Sequence, residues 1–145
     1  MRILTSASLA ALALTISLAL LTPWKTRDAS AEPKLSARVF EMRTYTTNPG
    51  KLSHLHARFR DHTNHLFVKH GMTLIGYWTP VDTADTLVYV LGYPDREAAK
   101  KSWKAFLDDP VWKRAFEESH KTAGGPIVTK VDSQFMNPTD YSPIR

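Results

Sequence analysis

Glu41, Arg43 and Tyr45 alternate along the stretch Arg38-Val39-Phe40-Glu41-Met42-Arg43-Thr44-Tyr45. Residues two apart on an extended strand share a face, so a carboxylate, a guanidinium and a phenol stand in one row, with Phe40 and Met42 on the opposite side. Lys130, Asp132 and Gln134 form a second polar row near the end of the chain. If the two strands are neighbours, a charged ladder crosses the sheet. Such a row can orient a polar substrate and shift a carboxylate pKa. The plainer reading, which we favour, is a cross-strand ion-pair network at a subunit seam. Glu41, His62 and Tyr77 are the candidates for moving protons. Arg43, Tyr45, Trp78 and Tyr89 are the candidates for ligand contact.

Other chemistry is thinly represented. His54, His56, His62, His65 and His70 crowd one helical stretch. Zinc requires three or four ligands in a tetrahedral array; no His-Glu-x-x-His pattern and no Cys occurs, so neither a metal nor a cofactor is expected. His62 falls on the apolar stripe of the helix, where it reads as a core histidine. The chain carries no Gly-rich phosphate loop, no Gly-x-Ser-x-Gly elbow and no dinucleotide fingerprint. Of the aromatic set Tyr77, Trp78, Tyr89, Tyr93, Trp103, Phe106, Trp112 and Phe116, helical spacing assigns Trp103 to Phe116 to the core. That leaves Tyr77 and Tyr89, on strands, as the better pocket candidates.

The elements that position these groups follow from periodicity and from Pro and Gly punctuation. The first strand, about 38–46, is placed at the centre of the only sheet. Asn48 and Pro49 read as a helix start. Leu52, Leu55, Phe59, His62 and Leu66 then form one buried stripe, and Gly71 ends the helix. Strands over 72–79 and 86–93 flank a short polar turn and make a hairpin. Gly76 and Gly92 inside these strands read as a bulge or a twist point. Asp95 and Asp109-Pro110 each start a helix, stopped by Gly124-Gly125-Pro126. The last strand covers 127–136. The order β-α-β-β-α-(α)-β predicts an α+β, ferredoxin-like βαββαβ sheet with helices on one face. All later strands carry large apolar groups on both sides, with Tyr77, Tyr89 and Val88 expected on the uncovered face. An open apolar face of that size is unusual for a monomer, and a second copy of the sheet is the economical cover. The expectation is a homodimer closing into a dimeric α/β barrel.

The chain has 145 residues and a formal charge of +5. Met1-Arg2, an apolar run from Ile3 to Leu21 and an Ala29-Ser30-Ala31 ending predict a cleaved signal peptide over 1–31. A polar lead-in follows over 32–37, the domain over 38–137 and an extended tail over 138–145. Taking away Arg2, Lys25, Arg27 and Asp28 with the leader reduces +5 to +3. That is weak support for nucleic-acid binding, and none is expected. No membrane span is expected once the leader is gone, and the predicted location is exported, periplasmic or extracellular.

Phe40-Glu41-Met42-Arg43-Thr44-Tyr45, Pro49-Gly50-Lys51-Leu52, His70-Gly71 leading into Leu74-Ile75-Gly76-Tyr77-Trp78, and Trp103-Lys104-Ala105-Phe106 with Asp109-Pro110-Val111-Trp112 resemble the NIPSNAP domain in order and spacing. The resemblance covers nearly all of 39–138. It implies a dimeric α/β barrel and little about chemistry, because related barrels include cofactor-free monooxygenases, haem enzymes and plain binding modules. The functional expectation is an exported homodimer that binds a small, partly apolar molecule or a protein partner. The alternatives are a cofactor-independent monooxygenase or isomerase acting on a small aromatic or apolar substrate, and a purely structural interaction module.

Overall fold

The computed structural model describes residues 39–144; the leader and lead-in expected before Val39 lie outside the described residues. Four antiparallel strands, β1 (Val39–Thr47), β2 (Thr73–Trp78), β3 (Thr86–Tyr93) and β4 (Val128–Met136), form one sheet in the order β2-β3-β1-β4. The first strand is central, as predicted, and the two outermost strands in sequence lie side by side. The helical elements are α1 (Leu52–Arg58), a π turn (Phe59–Thr63), α2 (Asn64–Lys69), α3 (Arg96–Asp108) and α4 (Pro110–Thr122).

Helix punctuation mostly follows the sequence. Asp95 Oδ1 accepts from the Ala98 N–H at 2.7 Å, and Asp109 Oδ1 from the Val111 N–H at 2.8 Å with Pro110 opening α4. Gly71 stops α2 at φ 80°. The start of α1 differs. Its helix begins at Leu52 with no side-chain cap, and Asn48 Nδ2 donates instead to the Pro126 carbonyl at 2.8 Å. Asp109 also joins elements: its Oδ2 takes Lys69 Nζ at 2.7 Å and His70 Nε2 at 2.8 Å, clamping the end of α2 to the start of α4. Lys69, then His70, then the Val111 N–H hold this carboxylate well below its usual range.

The π turn overturns the predicted placement of His62. A π turn accommodates one extra residue, so the apolar stripe passes from Phe59 to Thr63. His62 is exposed, and Thr63 is buried. The Asn64 N–H reaches the Phe59 carbonyl, and Thr63 Oγ1 donates to the Arg58 carbonyl at 3.2 Å.

Strand faces also need correcting. Register places Arg43 opposite Tyr89 on β3 and Ser133 on β4, so Glu41, Arg43, Tyr45, Tyr89 and Tyr93 share the face under the helices. Tyr77 and Tyr89, expected on the uncovered face, pack with Phe59 beneath the helices. Lys130, Asp132 and Gln134 pair with Thr46, Thr44 and Met42 on the other face, so no charged ladder joins Glu41 and Arg43. Gly76 does mark a bulge: Leu74 opposes Leu91 and Gly76 opposes Val90, leaving Ile75 as the extra residue. A Cβ on Gly76 would sit 2.5 Å from the Trp78 ring, which folds over it. The open face carries Met42, Val88, Val90 and Ile75, all half-buried. Phe40 is buried, and the 137–144 tail runs beside it.

Candidate functional site

Glu41 sits at the bottom of the sheet–helix layer and is 2 % exposed. Its Oε1 accepts from Arg43 Nη1 and Ser133 Oγ, both at 2.6 Å. Its Oε2 accepts from Trp103 Nε1 at 2.7 Å and the Tyr93 hydroxyl at 2.8 Å. Burial pushes this carboxyl up, but the hydrogen bonds from Ser133 and Trp103 and the Arg43 charge outweigh it, and the pKa is lowered. The same burial, followed by the neighbouring carboxylate, pushes the Tyr93 phenol far up. The cluster ties β1, β3, β4 and α3 together.

Above it lies a cavity of about 520 Å³ between the sheet and the helices. Arg43 and Tyr45 from β1 form part of its floor, with Val128 and Val131 from β4. Phe59, Trp103, Phe106, Trp112 and Phe116 supply aromatic walls. The Arg43 guanidinium, neutralised by Glu41, lies 4.2 Å from the Trp103 ring centre and 5.5 Å from Tyr45. Trp103 therefore belongs to both the buried carboxylate cluster and the cavity wall.

Arg58 closes another side. The last residue of α1, it is 3 % exposed, and its Nη1 donates to Ser119 Oγ at 3.2 Å. Ser119 in turn donates to the Phe116 carbonyl. The guanidinium packs 5.4 Å from the Trp112 ring centre and 5.1 Å from Phe116. Its Nε has no hydrogen-bond partner, and no carboxylate among the described residues pairs with it. The π turn follows it immediately, and π turns recur at functional sites.

Of the residues expected to bind a ligand, Arg43 and Tyr45 line this cavity. Tyr89 lies in the core behind them, in ring contact with Tyr45. Trp78, 54 % exposed, is elsewhere, on a groove of about 420 Å³ with Tyr77, His56 and Arg60. Tyr77 has an unpartnered hydroxyl, and burial pushes its pKa up to about 12. Glu41, His62 and Tyr77 are not brought together: Glu41 lies behind the Arg43–Trp103 wall, and His62 faces outward. Trp112 and Phe116, which helical spacing assigns to the core, are cavity walls; Phe116 is 39 % exposed. Sequence reasoning missed Arg58. Its one available signal was an arginine between Leu55 and Phe59 on the apolar stripe. Among the described residues no group of three or more His, Cys, Asp or Glu could hold a metal, and no helix is long and apolar enough to cross a membrane.

The NIPSNAP family profile matches residues 40–143. The chain belongs to the NIPSNAP family. Solved NIPSNAP structures share its fold. A NIPSNAP-like domain protein from Burkholderia xenovorans aligns at 21 % identity and TM-score 0.64, covering 72 % of this chain and 88 % of that one. A NIPSNAP family protein from Agrobacterium tumefaciens aligns at 18 % identity and TM-score 0.65, covering 74 % and 98 %. A cofactor-independent oxygenase from Streptomyces nogalater aligns at 13 % identity and TM-score 0.52, covering 74 % and 98 %. No curated protein matches the NIPSNAP chain by sequence.

Proposed function

We propose that this NIPSNAP protein is an exported homodimer that binds a small, partly apolar molecule in the sheet–helix cavity. The observation that carries the reading is the cavity itself: about 520 Å³, lined mostly by aromatic and aliphatic side chains, with Arg43 and Arg58 among its few polar groups. Ligand pockets have this size and this mixture of apolar lining with few polar contacts. Binding without proton transfer is the favoured form of the activity. Glu41 is engaged by four donors and has a lowered pKa, so it is a poor base at neutral pH. Burial keeps the Tyr77 phenol protonated, and His62 lies outside the cavity. The uncharged fluorophore N-phenyl-1-naphthylamine should bind one per chain and brighten. Val131→Trp, which fills the floor, should abolish the signal. A signal of full strength in Val131→Trp would contradict the site.

The assembly reading rests on the open sheet face, where Met42, Val88, Val90 and Ile75 are half-buried and Trp78 is exposed. Light scattering on the purified protein should give twice the chain mass, and Val90→Asp, which places a charge in that face, should give the single-chain mass. A wild-type protein of single-chain mass would remove the dimer from the account. Export is tested by N-terminal sequencing of the protein recovered from its host, with a start at Glu32 as the expected result.

A further inference from the structure

We propose that the molecule taken up by this cavity is an organic carboxylic acid with a flat apolar body, its carboxylate held on Arg58; the inference rests on the cavity being the binding site. Charged side chains are buried only when paired or hydrogen-bonded, because removing a charge from water is costly. Arginine cannot shed its proton to escape that cost. Arg58 is 3 % exposed and has one neutral hydrogen bond, to Ser119 Oγ. The other titratable groups around it give no ion pair. Glu117 and Lys113 line the same cavity; Asp61, Glu118, His54 and His62 share the outer groove that also touches Arg58; the His120 ring lies at a tilt against Phe116. None of the acids among them is within ion-pair distance. The Trp112 and Phe116 rings offset part of the cost by cation–π attraction, but rings do not satisfy the N–H donors.

The other cavity arginine marks the contrast. Arg43 has its own carboxylate, Glu41, at 2.6 Å. Arg58 borders the same cavity with an Nε that has no partner, and a guanidinium receives a carboxylate on two parallel hydrogen bonds. The apolar body of the same molecule would then extend along the aromatic walls toward Trp103 and Phe106. A neutral ligand would fill the space and leave the charge unanswered.

The test is displacement of N-phenyl-1-naphthylamine by 2-naphthoate and by 2-naphthamide, which differ at the acid group. Wild-type protein should bind the acid about tenfold or more tighter than the amide, the worth of a charged hydrogen bond. Arg58→Met should remove the preference, so that the acid binds no tighter than the amide. Arg58→Lys, which keeps the cation but not the fork, should fall between the two. Retained fluorophore binding shows that each variant is folded. Equal binding of acid and amide to wild type, with the fluorophore still sensitive to Val131→Trp, would overturn the acid while sparing the cavity. A preference that survives in Arg58→Met would also overturn it. Failure of the fluorophore to occupy the cavity would remove both readings together.

Discussion

Glu41→Ala lowers the stability of the domain by about 3–5 kcal/mol, the usual cost of removing one partner from a buried ion pair. The change strands the Arg43 guanidinium, the Trp103 N–H and the hydroxyls of Tyr93 and Ser133, drawn from four separate elements. Urea unfolding with an unchanged slope is the direct readout. Glu41→Gln keeps the shape and removes the charge, and it isolates the pH dependence. The folded-state pKa of Glu41 lies below its ordinary 4.5. The stability this implies is therefore fully present above pH 4.5 and is lost as pH falls below it. Wild type should lose its advantage over Glu41→Gln through that acid window. Asp109 also has a lowered pKa, but it is common to both proteins and cancels in the comparison. Parallel melting curves from pH 7 down to acid would show that the carboxylate is not held by its donors.

Arg58→Met has the opposite sign. Replacing a buried, unpaired cation with an apolar chain of similar length is expected to stabilise the ligand-free domain by about 1–3 kcal/mol, as replacements of buried ionic groups often do. That corresponds to a rise of several degrees in melting temperature. Arg58→Ala should gain less, because it also removes the buried aliphatic stem of a side chain that is 3 % exposed and leaves a cavity in its place. A residue whose removal strengthens the fold while abolishing acid binding is retained for what it binds. A marked loss of stability in Arg58→Met would instead make the guanidinium a structural strut.

The architecture could be read from the chain because its signals are local. Asp95 and Asp109-Pro110 mark helix starts, Gly71 ends α2, and alternation locates the strands. These fixed the element order and the central place of β1. The faces were harder. A row of Glu41, Arg43 and Tyr45 reads as half-polar, yet it is the covered side, because Tyr93, Trp103 and Ser133 arrive from distant positions to satisfy the carboxylate. The polar row of β4 could not be assigned to a side without the β1–β4 register, which also shifts at Thr46/Thr47. His62 was misplaced by a single extra residue in the π turn, which periodicity alone does not register.

The site was half legible. Arg43 and Tyr45 were recognised from their alternation on β1. Trp112 and Phe116 read as core because their spacing is that of a buried helical stripe, and spacing does not tell a packed wall from the wall of a cavity. Arg58 lay hidden for the same reason: an arginine at the edge of an apolar stripe usually extends its charge to water. Here α4 packs against α1 and leaves the guanidinium between Trp112, Phe116 and Ser119.

The most direct measurement is a crystal structure of the protein grown with 2-naphthoate. The account predicts the naphthalene ring between Trp103 and Trp112 and both carboxylate oxygens on the Arg58 guanidinium. Naphthoate bound only on the open sheet face, or Arg58 paired with Glu117 across a cavity closed by its own side chains, would contradict it.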